Sequence, residues 1–175
     1  MTKLWLARHA QPLVAPGTCY GALDVPADTA ATQAAAQRLA DALPAQARVL
    51  YSPLQRCELF ALSLQALRPD LASKPDTRLR EMDFGAWEGQ AWDAIGQTAV
   101  DAWTDRFATH PPGGGESLGA MLARVASALQ DARRESVADV VWITHAGVAR
   151  CVDWLQAQGG ALPRAGQWPL AAPGY

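Results

Sequence analysis

Two histidines and two arginines stand where buried-looking stretches of the chain give way to polar ones. Lys3-Leu4-Trp5-Leu6-Ala7 is an apolar run of strand length that ends in Arg8-His9-Ala10-Gln11, and Asp139–Thr144 runs in the same way into His145-Ala146-Gly147. Residues just past the C-terminal end of a core strand emerge at the mouth of an α/β sheet, where ligands bind. If the two strands are neighbours, His9 and His145 share one phosphate-binding site. The residue types fit phosphoryl transfer without a metal or other cofactor. Guanidinium forks neutralise a phosphate and spread its charge. A neutral imidazole is a competent nucleophile toward phosphorus, giving a phosphohistidine that water hydrolyses. A carboxylic acid must then protonate the leaving alcohol, and a neighbouring phosphate favours that acid's protonated form because like charges repel.

A third strand end supplies the second arginine. Arg48–Tyr51 reads as a short buried strand and is followed at once by Ser52-Pro53-Leu54-Gln55-Arg56-Cys57. Ser52 suits an N-cap and Pro53 the first helical position, so the sequence predicts a helix from Pro53 to about Leu67 whose N-terminus is an anion site. Arg56, in its first turn, can swing toward the same point. An isolated arginine there is usually a surface side chain; beside Arg8-His9 the functional reading is the better one. Candidate acids lie in Glu81-Met82-Asp83-Phe84-Gly85-Ala86-Trp87-Glu88, where spacing does not choose among Glu81, Asp83 and Glu88. In the loop from Gln11 to Ala27, Tyr20 can contact a ligand or cover the sheet edge, and Gly21 allows close backbone approach. His110, flanked by Pro111-Pro112, reads as an exposed loop histidine. The Gly113-Gly114-Gly115 run lacks the ending of a nucleotide-binding phosphate loop.

The elements that must position these groups alternate between strand and helix. Asp28 or Thr29 caps an alanine-rich helix to Leu43, stopped by Pro44. A short strand is expected within Thr77–Glu81, and short helices over Trp92–Ile95 and Asp101–Phe107, with Trp92 and Trp103 covering the core. Ser117 caps an amphipathic helix with Leu118, Leu122, Val125 and Leu129 on one stripe. A helix from His145 continues through Arg150 and Trp154 to about Ala157, closed by Gly159-Gly160. The proline-containing tail offers at best an edge strand near Gln167 to Ala171. Trp154 and Trp168 can cover core or form a homodimer patch.

Composition bounds the class. The 175 residues suit one domain over 1–175, and 50% hydrophobic with 18% charged residues is the balance of a globular chain. A net charge of −2 gives no footprint for nucleic acid or an anionic membrane. Three scattered cysteines, with no export signal or membrane-length apolar run, make a cytoplasmic protein with reduced thiols the expectation.

Five stretches carry a family resemblance: Leu6–Ala10 (LARHA), Tyr51–Cys57 (YSPLQRC), Leu79–Gly89 (LREMDFGAWEG), Gly114–Ser117 (GGES) and Thr144–Gly147 (THAG). In this order they resemble the histidine phosphatase superfamily, in its branch of phosphoglycerate mutase-like and α-ribazole phosphatase-like enzymes. The resemblance implies an α/β fold, a three-layer α/β/α sandwich on a mostly parallel sheet. It makes His9 the nucleophile, Arg8 and Arg56 the phosphoryl clamp, His145 a donor from the other side and Glu81 the proton donor, with Asp83 and Glu88 structural. Tyr20, Gly21 and the N–H of Ala146 become substrate contacts. Two departures are Ala10, where relatives usually carry glycine, and Ala15, where many carry asparagine. The short chain leaves little room for mutase insertions and favours a phosphatase of a small phosphorylated metabolite. The Cys19–Asp24 turn most resembles α-ribazole phosphatases, which makes α-ribazole 5′-phosphate, of cobalamin biosynthesis, the expected substrate. Competing readings are a broad-specificity phosphatase, a mutase-like enzyme and a metallohydrolase built on His9, His145 and the Asp83/Glu88 loop, in which Arg8 would crowd a cation. A phosphate-binding regulatory module on a dead phosphatase would lack His9, Glu81 or His145, and all three are present.

Overall fold

The computed structural model describes residues 2–169. Four strands, β1 (Lys3–Arg8), β2 (Arg48–Tyr51), β3 (Ser73–Pro75) and β4 (Asp139–Thr144), form one sheet in the order β1-β4-β2-β3, with every pair parallel. Parallel neighbours require crossovers, and among the described residues six α-helices accompany them. These are α1 (Thr29–Ala42), α2 (Gln55–Leu67), α3 (Trp92–Ile95), α4 (Gln97–Asp105), α5 (Leu118–Arg134) and α6 (Ala146–Gln158).

Strand alternation sorts the core into two layers. Leu4, Leu6, Leu50, Val140 and Trp142 face one side, where α5 and α6 supply Leu122, Val125, Val148 and Val152. Trp5, Ala7, Val49, Val141 and Ile143 face the other, against α1 and α2 through Ala36, Ala40, Phe60 and Leu64. The result is the expected α/β/α arrangement. β4 is buried on both faces because it lies inside the sheet, which is why its sequence is apolar at consecutive positions.

Several local expectations change. The short strand lies at Ser73–Pro75, and Thr77–Leu79 is instead a 3-10 turn capped by Asp76, whose carboxylate accepts the Arg78 N–H at 2.9 Å. The helix after β2 begins at Gln55, two residues later than Ser52-Pro53 suggested, and Ser52 is not its cap. The second short helix begins at Gln97. Asp28 and Ser117 do cap α1 and α5, accepting from Ala31 and Ala120 N–H. In the tail, Ala165–Gln167 forms a 3-10 turn in place of the start of an edge strand, and 170–171 lie outside the described residues. Among the described residues no helix is long and apolar enough to cross a membrane. All three cysteines are free and buried, and desolvation pushes the Cys19 thiol up to about 12.

Candidate active site

The sheet brings the two histidines together. Arg8 and Thr144 are register partners at the ends of β1 and β4, and the His9 N–H extends the ladder onto the Thr144 carbonyl at 3.1 Å. The His9 and His145 rings follow with centroids 5.1 Å apart. On the other flank of β4, the Ser52 N–H pairs with the Ile143 carbonyl at 3.0 Å, which brings the end of β2 into the same row.

The partners of the two imidazoles bear on which ring nitrogen holds the proton. His9 Nδ1 lies 2.8 Å from the Ala10 carbonyl, which can only accept, so Nδ1 carries the proton and Nε2 keeps its lone pair. Burial pushes the His9 pKa down to about 4, the Ala10 bond opposes this, and Arg56 and Arg8 add to the depression. The ring is therefore neutral at pH 7. His145 is fully buried, and its Nε2 lies 2.8 Å from Ser52 Oγ. That oxygen also accepts the Leu54 N–H at 3.4 Å, and Cys57 Sγ lies 3.5 Å from the same Nε2; with the hydroxyl donating to Nε2, it is Nδ1 that carries the proton. Nδ1 is buried and has no hydrogen-bond partner among the described residues. Burial first, then Arg56 and His9, hold this imidazole well below its ordinary pKa.

A cavity of about 510 Å³ opens over this row. Arg8, His9, Tyr20, Glu81, Ala146 and Gly147 are among its lining residues, while the buried His145 lies outside the lining. Ala146 is the first residue of α6, a position whose N–H has no intrahelical acceptor and faces an anion favourably. Glu81 is fixed by backbone: its Oε2 accepts the Gly147 N–H at 3.0 Å and its Oε1 the Met82 N–H at 3.1 Å. Glycine at 147 leaves the room that the Glu81 carboxylate occupies, since a Cβ would run into it.

Arg56 and Gly21 have other immediate partners. Arg56 is fully buried, outside the cavity lining, and donates to the carbonyls of Leu23 (2.9 Å) and Gly21 (2.6 Å). Its Nε is buried and without a partner among the described residues, and its guanidinium sits 5.6 Å from the Tyr20 ring centroid. Gly21 is also outside the lining. Its N–H donates to Glu88, and a Cβ would strike the Met82 carbonyl, so its small size serves loop packing rather than ligand approach. The expected anion site at the start of α2 is filled by the protein itself, since Asp24 Oδ1 accepts the Gln55 N–H at 2.7 Å.

Glu88 is spent on structure, accepting the N–H groups of Gly21, Ala22, Leu23 and Phe84. Asp83 accepts from Gly85 N–H in its own loop. The Gly-Gly-Glu-Ser stretch has a comparable role. Glu116 holds Arg124 by two bonds of 2.7 and 2.8 Å, and Arg124 grips the carbonyls of Arg78, Arg80 and Glu81. His110 lies outside the cavity lining, with Nδ1 2.9 Å from Arg106 Nη2. Ala10 has no positive φ, so the missing glycine imposes no backbone strain, and Ala15 is exposed away from the cavity.

Three features escape sequence reasoning. Ser52 reads as a cap, Arg150 as a helix residue, and Trp92 and Trp103 as core cover. Arg150 lies three residues beyond Gly147 on α6 and lines the cavity, as do both tryptophans and Trp168, while Trp154 belongs to the core. The Gly147–Arg150 spacing of one helical turn is the available signal for Arg150.

Comparison with known proteins agrees with this geometry. Residues 4–171 match the family model of the histidine phosphatase superfamily, branch 1. A Hydrogenobacter thermophilus protein, provisionally named phosphoserine phosphatase 2, is 28% identical over 158 residues, covering 87% of this chain and 77% of its own. The mycobacterial glucosyl-3-phosphoglycerate phosphatase superposes with a TM-score of 0.74 at 26% identity, covering 89% of this chain and 80% of its own. The Thermus thermophilus protein TTHB049 gives 0.69 at 33% identity, with 92% and 88% covered. With paired histidines at adjacent parallel strand ends and a match across nearly its whole length, this chain belongs to the histidine phosphatase superfamily and is a phosphatase.

Proposed function

We propose that the protein is a metal-independent phosphomonoesterase that works through a phosphohistidine at His9. The observation that carries this reading is the His9 tautomer: Nδ1–H is committed to the Ala10 carbonyl, and a neutral Nε2 is left with its lone pair in the cavity end. In the first step Nε2 attacks phosphorus, and the phosphorus–ester oxygen bond breaks with its electron pair leaving on the alcohol oxygen. Glu81 gives that oxygen a proton. In the second step water attacks the phosphohistidine, the P–N bond returns its pair to Nε2, and Glu81 takes the water's proton. Arg8, the His145 Nδ1–H and the Ala146 N–H stabilise the phosphoryl oxygens, and Arg56 adds positive charge beside both imidazoles. Tyr20, pinned by the Arg56–Gly21 loop, borders the substrate.

The substrate is a small phosphorylated metabolite. α-Ribazole 5′-phosphate is the leading specific candidate, on the resemblance of the Cys19–Asp24 turn and the compact chain. The relatives' names point to different substrates, so the choice rests on a direct test. Hydrolysis of 4-nitrophenyl phosphate by the wild type and His9→Ala is measured in EDTA, followed by a panel that includes α-ribazole 5′-phosphate, phosphoserine and 3-phosphoglycerate. Chelator-resistant activity lost in the variant, with acid-labile phosphate trapped on His9, is expected. Activity abolished by EDTA, or retained by His9→Ala, would overturn the mechanism, and a flat panel would favour a broad-specificity enzyme.

A further inference from the structure

The cavity is chemically two-sided. Among its described lining residues the charged side chains are Arg8, Glu81 and Arg150. Arg8 adjoins His9, and Arg150 follows Gly147, the backbone partner of Glu81, by one helical turn. Arg8 and Glu81 therefore stand at the histidine end, and Arg150, one helical turn before the Trp154 that meets Trp168 at 5.9 Å, lies between that end and the rest of the lining.

Much of the remaining lining is aromatic. Phe84 meets Trp92 and Trp103 edge-on, with centroids 5.7 and 6.0 Å away. Trp103 continues to Phe107 at 5.4 Å, and Phe107 to Trp168 at 6.2 Å. Trp92 and Trp103 are nearly parallel, inclined by 14°. These rings are not sealed into the core: Trp92 is 37% exposed and the other four are half-buried. Met82, Leu118 and Met121 extend the apolar lining. Five large rings left partly open in a concavity joined to a reactive centre form an apolar binding surface rather than a solvent-facing one.

Resting on the phosphomonoesterase reading, we propose that this wall is the leaving-group subsite and that it selects phosphate monoesters whose organic part carries a flat aromatic ring system. A cavity of about 510 Å³ holds a phosphoryl group and a fused ring together. Trp103 is the central specificity residue, since it contacts Phe84, Trp92 and Phe107 and lies on the wall itself.

The test separates binding from turnover. Two non-hydrolysable phosphonates, 2-(1-naphthyl)ethylphosphonate and propylphosphonate, are titrated by calorimetry into the wild type, Trp92→Ala and Trp103→Phe. The naphthyl ligand is expected to bind the wild type at least about tenfold tighter, and Trp92→Ala, at the exposed edge, to lose most of that difference. Trp103→Phe keeps a ring and should lose less. Equal affinity of the two ligands, or a preference unchanged in both variants, overturns the subsite. Hydrolysis of propyl phosphate, assayed in parallel on the wild type, reports on the phosphomonoesterase reading alone, so the two can fail separately.

Discussion

Replacing Gly147 with alanine should separate the leaving-group proton from the rest of the chemistry. The added Cβ would occupy the space of the Glu81 carboxylate, which is the movable end of a flexible side chain, so the carboxyl group withdraws and the fold stays. Withdrawal breaks the 3.0 Å bond from Gly147 N–H to Oε2, a charge-assisted bond worth about 1.5–3 kcal/mol. Alanine's helix propensity returns up to about 1 kcal/mol at this second position of α6. Net stability should therefore fall by no more than about 3 kcal/mol, read by urea unfolding. Activity should fall much further, because a positioned general acid contributes about 10²–10⁴-fold. That loss must depend on the leaving group. In kcat/KM, which reports formation of the phosphohistidine and not its hydrolysis, an alkyl phosphate needs the proton and should lose about a hundredfold or more, whereas 4-nitrophenyl phosphate departs as a stable phenolate and should lose about tenfold or less. Equal losses on both esters would refute the assignment of Glu81 as proton donor, and full activity on both would refute the steric argument.

Two further outcomes follow from the histidine pair. Ser52→Ala takes from the fully buried His145 Nε2 its 2.8 Å partner, leaving it Cys57 Sγ at 3.5 Å, and should cost about 1–3 kcal/mol in urea unfolding. It also frees the tautomer, so kcat should drop about tenfold or more with KM little changed; unaltered kcat in the destabilised variant would remove Ser52 as a positioning residue. For His9, the folded pKa of about 4 lies below the ordinary 6.5, so acid protonates the unfolded chain first. Above pH 6.5 the group contributes nothing, and stability is lost as pH falls from there toward 4, by about 2 kcal/mol between pH 7 and 5. His9→Gln should remove that part of the pH dependence in urea titrations at the two pH values. Identical slopes for variant and wild type would contradict a neutral buried His9.

Much of the site is local in origin and could be read along the chain. An apolar strand followed at once by a histidine fixes where that histidine emerges, which is why Lys3–His9 and Asp139–His145 were legible. Asp28 and Ser117 announce α1 and α5 because capping is a contact within four residues. The sheet order was not encoded locally, yet two strands buried on chemical grounds and ending in like chemistry were enough to expect them side by side. By contrast, the spacing of Glu81, Asp83 and Glu88 was silent, and the resemblance alone singled out Glu81. The contacts then explain the division, since Glu88 is saturated by four backbone N–H groups while Glu81 borders the cavity.

What only the tertiary structure decided involves partners distant in sequence. Ser52 has the composition of a cap, but His145, ninety-three positions away, takes its hydroxyl. The start of α2 has the dipole of an anion site, but Asp24 arrives from another loop and fills it. Arg124 secures the backbone at Glu81 from a helix more than forty residues downstream. Trp92 and Trp103 carry a hydrophobic pattern that predicts burial without saying against what, and the packing of α3, α4 and the tail left them as a cavity wall. The amino-acid sequence thus determined which chemical groups leave the sheet and in what local conformation, because those are short-range effects. Which hydrogen bond each polar group makes, and which apolar faces stay open for a ligand, depended on long-range packing, where competing partners are chosen by geometry rather than by residue type.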